Sequence, residues 1–383
     1  MTIQLPRNWY PPPGARQGGP AGGQGGPVAA PAPPDARHAP VLLRECLGAF
    51  AGRELGVFAD CTLGLGGHSG AVLAEHPEVR TFVGVDKDPR ALEIARGRLS
   101  AGGAAGLRAP PAAMHFVRGD FRELPEHLRG AGLPGEGAAD GILMDLGFSS
   151  LQVDDPERGF SFLRDGPLDM RMDPAQALSA RVAVNEWGEE ELGRVLRDLG
   201  EERHWRRLAG RIVQFRAARG SIETTGELVE ALGAKGWKPY HARRGRGPGG
   251  GRRAGPALHP ATRTFQALRI AVNGELQSVE SALPAAIDAL APGGRLGVIS
   301  FHSLEDRLVK WAFRRAAGQA RAAPLSKQEK FSGVRAGVTG PELGGTDAAR
   351  VRILTKRPLT AAPEEVEENP RSRSAKLRVV EKL

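Results

Sequence analysis

Short, almost wholly apolar runs punctuate the chain: Val57-Phe-Ala-Asp60, Thr81-Phe-Val-Gly-Val-Asp86, Met114-His-Phe-Val117, Gly141-Ile-Leu-Met-Asp145 and Arg295-Leu-Gly-Val-Ile-Ser-Phe301. Runs this short, without polar alternation, predict strands buried on both faces. Between them the apolar spacing becomes helical. Residues 88–99 begin with an Asp cap and a Pro in first position, and place Leu92, Ala95 and Leu99 on one face. Strands alternating with helices predict a parallel α/β sheet. From Asp145 to Arg295 about 150 residues pass without another such run, too many for a single crossover. That gap predicts an inserted helical domain, and residues 185–196 and 206–215 show the helical spacing expected of it. Residues 351–359 and 376–383 predict two further strands closing the sheet.

The texture also divides the chain. Residues 1–37 are dominated by Pro and Gly, a composition that cannot bury enough apolar surface to offset ordering, and are expected to be a disordered tail. The core is expected at 38–152 and 263–383, with the insertion at 153–262. Within the insertion, residues 235–253 carry seven Lys and Arg, many glycines and no acid, which predicts a mobile basic loop.

Charge narrows the partner. The 383 residues include 53 Lys and Arg against 44 acids, a formal charge of +9, which favours a polyanion such as nucleic acid. Two cysteines, Cys46 and Cys61, are too few for a disulfide framework or a Cys-rich zinc site. The chain begins without a basic segment followed by an apolar one, and no stretch approaches the length of a membrane span, so a soluble, cytoplasmic protein is expected.

The chemistry concentrates at strand ends. Asp60-Cys-Thr-Leu-Gly-Leu-Gly-Gly-His68 joins the first strand to a helix through glycines that let backbone N–H groups approach a ligand. Asp86 ends the next strand, where a carboxylate can accept both hydroxyls of a ribose. A dinucleotide oxidoreductase would share both features. Its Gly-x-Gly-x-x-Gly pattern is not met, however, and Asp60 before the turn suits a cationic ligand such as S-adenosylmethionine better than a pyrophosphate. Phe121, after the third strand, could face an adenine. Asp145-Leu-Gly-Phe148, after the fourth, occupies the place where amino-methylating enzymes on DNA often carry Asp/Asn/Ser-Pro-Pro-aromatic, here without the prolines. His302-Ser-Leu-Glu-Asp306 reads as a helix start capped by Ser303 rather than as a triad or metal site.

Seven blocks in order extend this picture from about residue 38 to the C-terminus: His38-Ala-Pro-Val-Leu-Leu43, residues 60–69, residues 141–147, Arg158-Gly-Phe-Ser-Phe-Leu-Arg-Asp-Gly-Pro-Leu-Asp-Met-Arg-Met-Asp173, residues 259–270, Ile299-Ser-Phe-His-Ser-Leu-Glu-Asp-Arg307 and Asn369-Pro-Arg-Ser-Arg-Ser374. Together they resemble the bacterial 16S rRNA cytosine N4-methyltransferases. The resemblance implies a class I Rossmann-like methyltransferase, an α/β fold with a mostly parallel seven-stranded sheet and an inserted helical domain. It further implies methylation of one cytosine near the decoding centre of the small ribosomal subunit. Carried over position by position, Gly66, Gly67, His68, Asp86, Phe121, Asp145 and Gln152 would contact S-adenosylmethionine, with no metal expected. Asp145, His302 and Ser303 are the candidate catalytic residues, with Ser300 beside them on the facing wall. Arg158, Arg164, Arg171, Arg263 and Arg269 are the candidate RNA contacts. Phe160, Phe162 and Phe265 are interleaved with these arginines, either to stack on a base or to pack the insertion on the sheet. A monomer or a homodimer is expected. The remaining rival is a non-enzymatic RNA-binding or assembly factor on the same fold.

Overall fold

The structure is a computed structural model that describes residues 40–100, 105, 107, 110–147, 149–236, 259–319 and 348–383. The expected tail, most of the basic loop, His38 and Phe148 lie outside the described residues. Seven strands form one sheet: β1 (Val57–Asp60), β2 (Thr81–Asp86), β3 (Ala113–Arg118), β4 (Ala139–Asp145), β5 (Leu290–Ser300), β6 (Val351–Ile353) and β7 (Lys376–Lys382). Their spatial order is β3-β2-β1-β4-β5-β7-β6. The pairs from β3 to β5 are parallel, and β7 runs antiparallel to both β5 and β6.

Side chains alternate between the two faces of each strand, and both faces are covered. On β4, Ile142 and Met144 join one core while Leu143 joins the other; on β5, Leu296 and Val298 face one side and Ile299 the opposite. One layer packs α1 (Leu43–Phe50), α2 (Gly67–Glu75) and α3 (Pro89–Leu99) on the sheet. The other packs α4 (Leu124–Gly130), α11 (Glu275–Ala289) and α12 (Ser303–Ala316). Burial on both sides is why these strands read as continuous apolar runs.

After β4 and the short α5 (Ser150–Asp154) come α6 (Ala180–Glu186), α7 (Glu189–Asp198), α8 (Trp205–Arg219), α9 (Thr225–Ala231) and α10 (Thr262–Asn273). These five helices close on a third core that includes Leu168, Leu192, Leu196, Ile212, Phe265 and Leu268. By packing, α10 therefore belongs to the insertion, past the return to the sheet expected at residue 263. The last helix, α13 (Pro363–Glu368), precedes β7.

Candidate active site

Strand order reverses at β1 and β4, whose helical connections leave to opposite sides and open a crevice at the carboxyl ends of the strands, where open α/β sheets bind ligands. Asp60, Asp86, Asp145 and Ser300 terminate β1, β2, β4 and β5 at this edge. The glycine turn sits among them. Gly66 holds φ +73 as the residue before α2, a left-handed conformation that disfavours any side chain. At Gly67 a Cβ would fall 2.8 Å from Pro40 Cγ.

The turn is wired to the acids around it. Asp60 is buried and spends its oxygens inside the turn, one accepting the Thr62 N–H (3.1 Å), the other the Ser69 hydroxyl (2.5 Å). It shapes the turn, whereas its charge alone had suggested a direct ligand partner. Asp86 accepts the Gly64 N–H on Oδ2 (2.7 Å) and the Asp88 N–H on Oδ1 (2.8 Å). Each oxygen keeps a second lone pair for a hydroxyl donor. Burial pushes this carboxyl up to about 6, against the opposing effect of those two N–H bonds. Gly119 N–H donates to Asp86 O (3.1 Å), which brings the turn bearing Phe121 beside β2. Phe121 packs partly buried against the sheet core, with Lys87 Nζ 5.9 Å from its ring centre.

Asp145 lies across the crevice. Its backbone N–H donates to Thr62 Oγ1 (2.6 Å), so the β1 turn pins the end of β4. Its Oδ2 is 3.7 Å from His68 Nδ1, while His68 Nε2 donates to Val41 O (2.8 Å). Asp145 Oδ1 is buried and accepts no hydrogen bond from the described residues. Desolvation raises this carboxyl to about 6 and nearby Asp60 and Glu305 add to the effect, with His68 opposing. A buried carboxylate oxygen without a donor is costly unless a bound group supplies one. The loop after β4 also carries Gln152, buried, with Oε1 accepting the Ser149 N–H (2.9 Å).

The β5 side differs from the expectation. His302, not Ser303, caps α12: its Nδ1 accepts the Glu305 N–H (3.4 Å), and Glu305 Oε2 accepts the His302 N–H (3.4 Å) and, more closely, the Phe301 N–H (2.8 Å). This is a capping box with His in place of Ser or Thr. Ser303 instead donates to Glu201 Oε2 (2.5 Å) in the insertion. Glu275, His302 and Glu305 place ligand-type atoms within 4.8 Å of one another, and Arg269 grips Glu275 through two bonds of 2.8 and 2.7 Å. Burial opposes ionisation of Glu305, but His302 beside it and, more weakly, the Arg269 charge hold its carboxyl below the usual range.

The five candidate RNA arginines are engaged within the fold. Arg158 pairs with buried Asp88 (2.9 Å) and bonds the carbonyls of Arg171 and Met172. Arg164 bonds Asp154 O, and Arg171 clamps Asp169 and the carbonyls of Pro174 and Gln176. Arg263 bonds Glu201 O (2.8 Å), and Arg269 is buried on Glu275. Phe160 and Phe265 are buried, and Phe162 sits 5.0 Å from Phe265 and stacks 4.5 Å from the His259 ring. These rings pack inside the insertion. Thr62 and Glu201 escaped sequence reasoning, as did the pairing of the cap Asp88 with Arg158 and the role of Glu305. Glu305 left a local signal, three residues past the cap; Thr62 meets its partner across 83 residues.

The site fits S-adenosylmethionine: an acid at the end of β2 for the ribose, a glycine turn open to close approach, and an orphaned carboxylate oxygen at the end of β4. Fold and site define an S-adenosylmethionine-dependent methyltransferase of the Rossmann-like class. Residues 35–383 match the MraW methylase family, and the chain belongs to it. Proteins named ribosomal RNA small subunit methyltransferase H, from Heliobacterium modesticaldum and Symbiobacterium thermophilum, are each 44% identical to it over 346 residues. These alignments cover 90% of this chain and 98% and 96% of the relatives. Among solved structures, the antibiotic-resistance methyltransferase Kmr (14% identity, TM-score 0.30) and the aminoglycoside resistance methyltransferase NpmB1 (11%, 0.31) each overlap 89% of this chain and 92% of their own. Those overlaps are too loose to add to the family assignment.

If Asp86 is the acceptor of two ribose hydroxyls it must be ionised, and its carboxyl is raised to about 6. Cofactor affinity should therefore weaken as pH falls from 7 to 5, with binding near pH 5 releasing a proton. Calorimetric titration in buffers of different ionisation enthalpy measures both. An affinity flat across this window, or one for which Asp86→Asn keeps the same pH dependence, removes Asp86 as the titrating group.

Proposed function

We propose that this methyltransferase acts on the exocyclic N4 amine of one cytosine near the decoding centre of 16S rRNA in the small ribosomal subunit. The observation that carries the reading is the Asp145 carboxylate at the end of β4, whose Thr62-held backbone sits beside the glycine turn and whose buried Oδ1 accepts no hydrogen bond from the described residues. An amine presents N–H donors to such a group, whereas a ring carbon does not. The names of the relatives and the net charge of +9 support ribosomal RNA as the bearer of that amine.

A cytosine amino nitrogen is a weak nucleophile because its lone pair is delocalised into the ring. Positioning and electrostatics therefore dominate the work required of the protein. Bound S-adenosylmethionine supplies an electrophilic methyl on a sulfonium. Gly66, Gly67, His68, Asp86, Phe121 and Gln152 are assigned to holding it. Asp145 accepts an amino N–H, turns the nitrogen lone pair toward the methyl and disfavours the planar, delocalised amine. As the nitrogen becomes cationic, the same carboxylate stabilises the charge and takes the departing proton. With its carboxyl near 6, Asp145 is ionised at neutral pH and basic enough for that transfer. His302, fixed by Glu305, forms the opposite wall.

Small subunits from a strain lacking the enzyme, incubated with the protein and methyl-labelled S-adenosylmethionine, should yield N4-methylcytidine on nuclease digestion and mass spectrometry. Label in 5-methylcytidine overturns the acceptor assignment. No label in any RNA favours the assembly-factor alternative.

A further inference from the structure

With the five expected arginines committed to the fold, the cations left for a polyanion lie elsewhere. Arg203, Arg206 and Arg207 are exposed at the start of α8, and among the described residues none has an acidic partner. Arg206 lies over the Trp205 ring, 4.5 Å from its centre. The acids of the same corner are occupied. Glu202 is buried and accepts the His204 N–H (2.8 Å), and Glu201 is bound to Ser303 and Arg307; Glu189, at the start of α7, lies away from the corner, beside Gly210 in the middle of α8.

Glu201 connects this corner to the active site. It holds φ 47, a left-handed conformation uncommon for a residue with a side chain. Three contacts maintain it: Ser303 Oγ (2.5 Å), Arg307 (3.3 Å) and, on its carbonyl, Arg263 (2.8 Å). Ser303 adjoins His302 at the acceptor wall. From it, Arg307, Lys310 and Arg314 follow at three- and four-residue spacing along one face of α12. Lys310 and Arg314 lie 5.5 and 5.3 Å from the Trp311 ring centre. Two basic, aromatic-bearing faces thus meet at Glu201, next to the crevice where the nucleotide must enter.

We propose that the corner formed by Arg203, Trp205, Arg206 and Arg207 binds the sugar-phosphate backbone of the RNA strand flanking the target nucleotide, with Lys310 and Arg314 of α12 continuing the track. This rests on the reading that the substrate is RNA. Cations carried beside aromatic rings match what an unpaired strand offers, phosphates and base faces, and the position sets the strand at the mouth of the Asp145 crevice.

The test uses the full-length protein, deproteinised 16S rRNA and small subunits from a strain lacking the enzyme. The triple variant R203E/R206E/R207E should bind deproteinised rRNA at least roughly tenfold more weakly, and the slope of log affinity against log salt should flatten by about 2, the loss expected for three phosphate contacts. Affinity for S-adenosylmethionine and the melting temperature should match wild type. R203Q/R206Q/R207Q, which removes charge without reversing it, gives the same readout should the glutamates disturb α8. Unchanged rRNA affinity and salt slope in a folded variant overturn the proposal. So does weakened binding to intact subunits with unchanged binding to deproteinised rRNA, which would assign the corner to a ribosomal protein. Failure of the methylation reading itself registers separately, as wild type binding rRNA without forming N4-methylcytidine.

Discussion

Asp145→Ala should lower kcat by roughly 10²–10³ at saturating S-adenosylmethionine, the scale seen when one preorganised polar group is removed from a reacting centre. The backbone of Asp145 is held independently by Thr62 Oγ1, so the strand end stays in place when the carboxylate is lost. Removing a buried oxygen that has no donor also lifts a desolvation cost. The variant should melt no lower than wild type while turning over far more slowly. Asp145→Asn separates charge from shape: it keeps one acceptor oxygen, so its deficit should be smaller than that of alanine. Methyl incorporation into small subunits, read as kcat with cofactor affinity measured in parallel, decides the matter. Full turnover by Asp145→Ala would remove this residue from the chemistry.

The second large effect concerns stability. Arg269→Met leaves Glu275 buried without its guanidinium and removes a favourable charge near Glu305, and breaking a buried pair from one side typically costs about 3–5 kcal/mol. Urea unfolding with the melt followed by circular dichroism measures it. Arg269→Met with Glu275→Leu should recover much of the loss, because two apolar groups replace two charges. A loss below about 1 kcal/mol in the single variant would mean that water already screens the cluster. A local consequence follows from geometry: Glu305 fixes the Phe301 and His302 N–H groups, so a disturbed cluster also loosens the turn between β5 and α12.

The sheet, the glycine turn and the acids at the strand ends are largely legible in the sequence because their determinants are local. Apolar runs of strand length, an Asp-Pro helix start at residues 88–89 and glycines between Asp60 and His68 each act within a few residues. The structure places all three as expected. The acceptor half was less legible. Ser303 was the conventional cap by residue type, but the cap position is set by where β5 ends, and that leaves His302 with extended backbone and its ring over the Glu305 N–H.

The arginines show the same division most clearly. Their number, their blocks and the sign of the field they create follow from sequence alone, as do the class of fold and the acids at the ends of β1, β2 and β4. Which of them remain free was decided only by the folded chain. Arg158 finds Asp88 across 70 residues, and Ser303 finds Glu201 across 102. A cation's availability depends on whether an acid or carbonyl is brought within about 3 Å of it. That proximity is a property of packing between distant segments, and no local pattern of residue types carries it.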